Sequence, residues 1–262
     1  MRVLLLWGLL VLSGIAQAAP FDHRHAAWNG LLERHVHWVR DGVASTVDYP
    51  ALADERWSLD AYLAQLSTVG PTEFAGWSRD QRLAFLINAY NALTVQLILD
   101  HYPLASIKDI GGLFGSPWKR RFIALLGQNL SLDDLEHGLI RQPGVYDEPR
   151  IHSVVNCASI GCPAPRPQAL RAEQLEEQLE DSLRHFLSDR QRNRYDRPAS
   201  RLRVSKIFDW YGEDFARQAG SVSRYLAARA DWLSDAPADR LRIRQGVGLG
   251  YLDYDWSLNG TP

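Results

Sequence analysis

Cysteine is scarce in this sequence. Cys157 and Cys162 are the only two in 262 residues, too few for a disulfide framework. Neither sign of charge is in excess: the formal net charge is −2. Without a basic face the chain has no electrostatic grip on phosphates, which excludes nucleic acid as a partner. Internal repeats and low-complexity blocks are missing too, which excludes solenoids and propellers. A phosphate-cradling loop is also lacking. Gly246-Val247-Gly248-Leu249-Gly250 comes nearest, but no helix signal follows it. No cofactor is expected.

Aromatic residues are abundant, with nine Trp. Side chains of this size fill cores or line grooves. The chain is long enough to bury a real core without staples. Its first residues have the pattern of a secretory signal peptide: one Arg, an apolar run from Val3 to Leu12, then Ala16-Gln17-Ala18 as a cleavage site. The run is too short to span a hydrocarbon core of about 30 Å. The expected organisation is a signal peptide over residues 1–18 and one domain over 19–262. The mature chain is expected in the periplasm or outside the cell, with no stable membrane anchor after cleavage. Two cysteines in an oxidising compartment can pair, although Cys157 and Cys162 would close a very small loop.

Residues 22–40 have a helical apolar period. Val47-Asp48-Tyr49-Pro50 reads as a turn or extended link, and Leu59 to Leu66 as a helix broken by Gly70-Pro71. Ser78 is the N-cap of a helix from Arg79 to about His101, stopped before Pro103. From Leu83 to Leu99 that helix is apolar at nearly every angle, which predicts burial on most sides. It nevertheless carries Asn88 and Asn91, about 60° apart on one face. Buried amides need partners, so these two either tie the core or line a site. Residues 104–130 predict short strands or a hairpin. Ser131 with Asp134 opens a further helix, whose apolar arc includes Glu136, with His137 at the edge. Arg150 to Asn156 reads as a strand and 190–201 as loop. Leu202-Arg203-Val204 is a short strand, Ser205 caps a helix through Phe215, and another helix spans Val222 to Trp232. The tail from Gly246 reads as extended.

Four stretches resemble the domain of unknown function 547 family. They are Leu83 to Ala92, Ser131 to His137, Pro149-Arg150-Ile151-His152 running on to Asn156-Cys157-Ala158-Ser159-Ile160-Gly161-Cys162-Pro163, and Val204 to Tyr211. Traced from Trp28 to Asn259, the resemblance implies an exported bacterial protein, or in plants a domain that follows a coiled-coil segment, and brings no agreed reaction.

The chemistry must come from the residues themselves. Cys157 is the best nucleophile candidate, because the glycine-containing turn after it offers N–H groups that could favour thiolate and an oxyanion. A base is needed, and His152 or His137 can supply it. Along a straight strand His152 and Cys157 would stand roughly 16 Å apart, so the chain must fold back if they are to meet. Glu136 is the candidate orienter of His152, or else the partner of an arginine such as Arg150 or Arg166. Asn88 and Asn91 are candidate substrate-binding donors. Glu136, His137, His152 and Cys157 are suitable metal-ligand types but lack ligand spacing, so no metal is expected. The cluster His23, His25, His35 and His37 offers only adventitious binding. Trp210, Tyr211 and Trp256 are candidates for a binding groove.

These readings predict an α+β fold, with helices packed on a small antiparallel sheet around a buried central helix, in a papain- or transglutaminase-like arrangement. In transglutaminase-like folds the buried helix carries the cysteine, whereas here it offers Asn88 and Asn91. The leading functional expectation is an exported thiol-dependent hydrolase or transferase of peptide-like amide bonds. The alternative is a non-catalytic envelope domain that binds a peptide or protein, with Cys157–Cys162 as a staple. The expected partner is accordingly a peptide-like small molecule or an envelope protein.

Overall fold

The computed structural model describes residues 20–112 and 115–261. The segment expected to be a signal peptide lies outside them.

Helix α1 (Ala26–His35) buries Trp28, Leu31, Leu32 and His35. The helical period seemed to run on to Val39, but the chain turns there into an antiparallel hairpin of β1 (Val36–Val39) and β2 (Ala44–Val47). Val36 and Val39 fit a helix spacing and a β-branched strand equally well. The hairpin wins because Arg40, Asp41 and Gly42 all take positive φ and reverse the chain. The expected link at Tyr49 is instead α2 (Tyr49–Asp54). Asp48 caps it by accepting from the Ala51 N–H, and Pro50 sits in the first turn. Helices α3 (Arg56–Thr68) and α4 (Pro71–Ala75) follow.

Helix α5 (Arg79–Leu99) is the centre of the fold. Ser78 and Gln81 form a reciprocal capping box at its start. It is the one described helix long and apolar enough to cross a membrane, and 72% of that stretch is buried inside the protein. Its burial on most sides matches the expectation from its sequence.

Strands β3 (Ile123–Leu125) and β4 (Gln128–Leu130) form the expected hairpin. A π-helix then spans Asp134–Ile140, opened by reciprocal bonds between Ser131 and Asp134. The Arg141 N–H reaches the Glu136 carbonyl at 2.8 Å, the five-residue spacing of π winding. Pro149–Ser153 is a 3-10 helix, not the expected strand. Glu148 caps it by accepting from the Arg150 N–H at 3.0 Å, and Pro149 sets its first turn. Alternation of side chains suggested extension, but the acid–proline start favours winding.

Helix α6 (Leu175–Ser188) leads to a three-stranded sheet. There β6 (Arg201–Val204) pairs antiparallel with β5 (Arg194–Asp196) and parallel with β7 (Gly248–Tyr251). Strand β5 replaces part of the loop expected at 190–201. The helix foreseen after Ser205 is broken at Tyr211 into α7 (Ile207–Trp210) and α8 (Gly212–Ala219). Helices α9 (Val222–Ala227) and α10 (Ala230–Leu233) divide the next one, and α11 (Pro237–Gln245) was not foreseen.

The protein is therefore α+β, mainly helical with small antiparallel sheets. The single sheet expected is replaced by three separate ones, one with a parallel pair. Apolar side chains form two clusters. One surrounds α5 and includes Leu135, Ile151 and Val155. The other holds Leu183, Phe208, Phe215 and Leu226, with Tyr211 and Tyr254 packed against it. The candidate site lies where residues of the two clusters face each other.

Candidate functional site

A cavity of about 180 Å³ brings together Glu136, His137, His152, Cys157 and Cys162. These include all four residues the sequence singled out for catalysis. The 3-10 winding at Pro149–Ser153 replaces the straight strand that would hold His152 and Cys157 apart.

His152 is 2% exposed, and its Nε2 lies 2.7 Å from Oδ2 of Asp214 on α8. The same carboxylate oxygen accepts from Nε of Arg141 at 2.7 Å. Burial by itself would raise the Asp214 carboxyl, but the bonds from His152 and Arg141 outweigh it and hold the group well below the usual range. Arg141 is always charged, so Asp214 stays ionised whether or not His152 is protonated. Burial lowers the His152 pKa and prevails over the opposing Asp214 bond. The ring is thus neutral at pH 7. An ionised carboxylate only accepts, so Nε2 carries the proton and Nδ1 keeps a bare lone pair. That Nδ1 is buried without a partner. Tyr211 stacks on the ring at 3.9 Å between centroids and fixes its plane.

Glu136 was expected to orient His152, but Asp214 does so. Nor does Glu136 pair with Arg150 or Arg166. Arg150 binds Glu148, Glu176 and Glu180, and Arg166 binds Asp181. Glu136 is 6% exposed, its Oε1 has no partner, and it has no ion pair among the described residues. The phenols of Tyr90 and Tyr211 lie beside it. Burial first, and then the Glu136 charge, hold both phenols well above their usual pKa. His137 is exposed at the cavity edge and touches Arg141.

Cys157 and Cys162 are bonded to each other. Cys157 is half-buried in the cavity wall, while Cys162 is 4% exposed. The loop between them is clamped by the extended C-terminal tail. The N–H groups of Ile160 and Gly161 donate to the carbonyls of Ser257 and Asp255, and Asn259 donates back to Ala158. A Cβ on Gly161 would stand 2.9 Å from both the Asp255 carbonyl and the Tyr254 ring, so only glycine lets the tail approach. Asn156 holds the loop from inside, accepting from the Ala158 N–H and donating to the Pro163 carbonyl. The turn therefore has its N–H groups at Ala158, Ile160, Gly161 and Cys162 already committed. They cannot form the expected oxyanion hole. The Tyr254 hydroxyl lies 3.1 Å from each of the two sulfurs, the Ser159 hydroxyl lies 3.1 Å from Cys157 Sγ, and the Cys157 N–H donates to Cys162 Sγ at 3.0 Å.

Aromatic rings complete the walls. Trp210 is 47% exposed at the mouth. It meets Tyr254 at 4.8 Å and Trp256 at 5.8 Å, while Trp118 lies 5.7 Å from Trp256. The expected groove residues Trp210, Tyr211 and Trp256 thus share one site.

Asn88 and Asn91 are not in this cavity. The Asn88 amide accepts from and donates to the Leu170 backbone, and Asn91 does the same with Asn156 and Val154. They tie α5 to the loops around it and line a separate, smaller cavity of about 40 Å³. Among the described residues no group of three or more His, Cys, Asp or Glu is placed to hold a metal. The early histidines are engaged separately, His25 with Tyr62 and His35 with Glu55.

Sequence reasoning missed Asp214, Arg141, Tyr90 and Tyr254. Asp214 and Arg141 carry a weak signal, each being a charge next to an apolar helix residue.

No curated protein and no solved structure matches the chain. A family model described as "Protein of unknown function, DUF547" matches residues 74–187. That stretch holds α5, Glu136, His152 and both cysteines but stops short of Asp214 and Tyr254. Over residues 74–187 the chain is thus similar to that family.

Proposed function

We propose that the cavity is a site of thiol chemistry, and that the dithiol form is an exported hydrolase or transferase of peptide-like amide bonds. One observation carries this reading. His152 gives Nε2 to Asp214 and keeps a bare, unpartnered Nδ1, on a ring that lines the same cavity as Cys157. A neutral imidazole held in that tautomer is suited to take a proton from a neighbouring thiol. Once a small thiol has reduced the disulfide, the Cys157 proton passes to Nδ1 and the sulfur attacks the amide carbon. The C–N bond then breaks, the leaving amine takes the proton from His152, and water or a second amine releases the acyl group. Tyr254 is the candidate donor to the carbonyl oxygen. The Cys–His–Asp set has the composition of transglutaminase-like sites, and of papain-like ones with Asp in place of Asn, in a different chain order.

The test is turnover of peptide amides by reduced protein. Turnover should vanish in Cys157→Ser and in His152→Asn, and on reoxidation. Equal turnover in Cys157→Ser refutes the reading.

The disulfide itself favours a second reading, a non-catalytic envelope domain that binds a peptide or protein in the cavity and uses Cys157–Cys162 as a staple. The signal-like residues 1–18 and a bonded cysteine pair both support export. Detection of the chain in a periplasmic fraction checks that part.

A further inference from the structure

Two residues that line the cavity have a buried polar atom without a partner among the described residues: His152 Nδ1 and Glu136 Oε1. The reading above uses the first and leaves the second. A buried carboxylate oxygen without a donor carries its desolvation penalty uncompensated. Glu136 is 94% buried by its 6% exposure. The phenols of Tyr90 and Tyr211 lie beside it, its charge also reaches His152 and Tyr254, and none of these four side chains brings a positive charge.

Nearby positive groups are already committed. Arg141 is bonded to Asp214 at 2.7 Å and lies over Tyr211. Lys108 lies over Trp256 at 3.8 Å. Arg150 and Arg166 are paired elsewhere. The other charged group in the lining, Asp133, is also acidic and has only His137, at 4.0 Å, for a partner. His152 is neutral. The cavity therefore carries uncompensated negative charge inside an aromatic wall. Trp210, Tyr254 and Trp118 provide ring surface there, and indole faces attract cations best.

We infer that the cavity binds an organic ammonium, a primary or secondary amine whose N–H groups pair with Glu136 Oε1 and whose carbon frame packs on Trp210 and Tyr254. A free peptide N-terminus or an amine side chain has this chemistry. The inference names a substrate class for the site proposed above and rests on that reading of the cavity. It requires no open thiol, because Glu136 and the rings stand in place with the disulfide closed.

The test uses the disulfide form, in which Cys157 cannot react, so binding and chemistry can fail separately. Benzylamine, benzyl alcohol and benzoate, matched in shape, are titrated into the protein and followed by calorimetry and Trp fluorescence. Benzylamine should bind saturably and about tenfold or more tighter than the alcohol, as expected for a desolvated charge pair. Benzoate should not bind. Glu136→Gln should bring the amine down to the level of the alcohol, and Trp210→Ala, at an exposed position, should weaken both. Equal affinity for amine and alcohol in the wild-type protein overturns the inference, as does saturation by neither. So does an amine preference that survives in a folded Glu136→Gln protein. If the alcohol binds as tightly as the amine, the occupant is a neutral hydroxyl compound.

Discussion

His152 and Asp214, 62 residues apart in sequence, meet at 2.7 Å and join the two halves of the protein. His152 belongs to the 3-10 turn beside α5, and Asp214 to the first turn of α8. The bond does two things. It ties the 3-10 turn to α8, and it decides which imidazole nitrogen carries the proton.

Removing the carboxylate should be costly. Asp214→Ala leaves Arg141 without its buried partner and His152 without an acceptor. The expected loss is about 3 kcal/mol, the range for breaking a buried pair. Urea unfolding measures it, and a change below about 0.5 kcal/mol would mean that the pair is not formed in solution.

Acid should unfold this protein early. Burial holds the His25 pKa down at about 3 and lowers that of His152 as well. An unfolded chain protonates both near 6.5, so below that pH it binds more protons than the folded one. Each histidine therefore removes stability as pH falls from about 6.5 toward its folded pKa, by at most roughly 1.4 kcal/mol per pH unit. Asp214, depressed by its partners, adds to the loss at lower pH, as pH falls below the unfolded carboxyl value toward its folded one. Melting temperature measured from pH 7 to 4 checks the sign. A flat profile would contradict the buried, neutral assignment.

The clamp on the cysteine loop depends on one glycine. Gly161→Ala drives a methyl group into the Asp255 carbonyl and the Tyr254 ring. Overpacking of this kind costs typically 1–3 kcal/mol. Near-ultraviolet circular dichroism should register the displaced Tyr254 along with a lower melting temperature. A native spectrum with unchanged stability would show that the tail does not pack there.

Asn88 offers the contrasting case. Asn88→Ala strands the N–H and carbonyl of Leu170, for a loss of roughly 2 to 3 kcal/mol. The cavity should still bind its ligand when the variant is folded. Loss of binding in a folded Asn88→Ala protein would restore this residue to the site.

Much of the fold was legible because its signals are local. Ser78 announces the start of α5 as its N-cap, and the unbroken apolar run to Leu99 announces its burial. Cys157, His152, Glu136 and His137 were singled out by residue type and do share a cavity. What was not legible depends on distant parts of the chain. Pro149–Ser153 alternates like a strand, but Glu148 and Pro149 wind it into a turn. Asp214 sits in a strongly amphipathic helix, where an acid ordinarily faces water, and only the folded chain turns it toward His152. Tyr254 lies in a tail read merely as extended, and its role follows from the backbone bonds of Gly161 and Ile160. Pairings of this kind have no sequence period to betray them.

The most direct measurement is the alkylation rate of reduced protein with iodoacetamide, followed against pH. Cys162→Ala is used so that Cys157 is the one thiol present. If His152 Nδ1 draws the Cys157 proton, the thiol reacts rapidly at neutral pH, with an apparent pKa below the ordinary thiol value of about 8.5. His152→Asn should then return that pKa to about 8.5 and slow the neutral-pH rate about tenfold or more. A profile identical in the two proteins, titrating at the ordinary thiol value, would contradict the account.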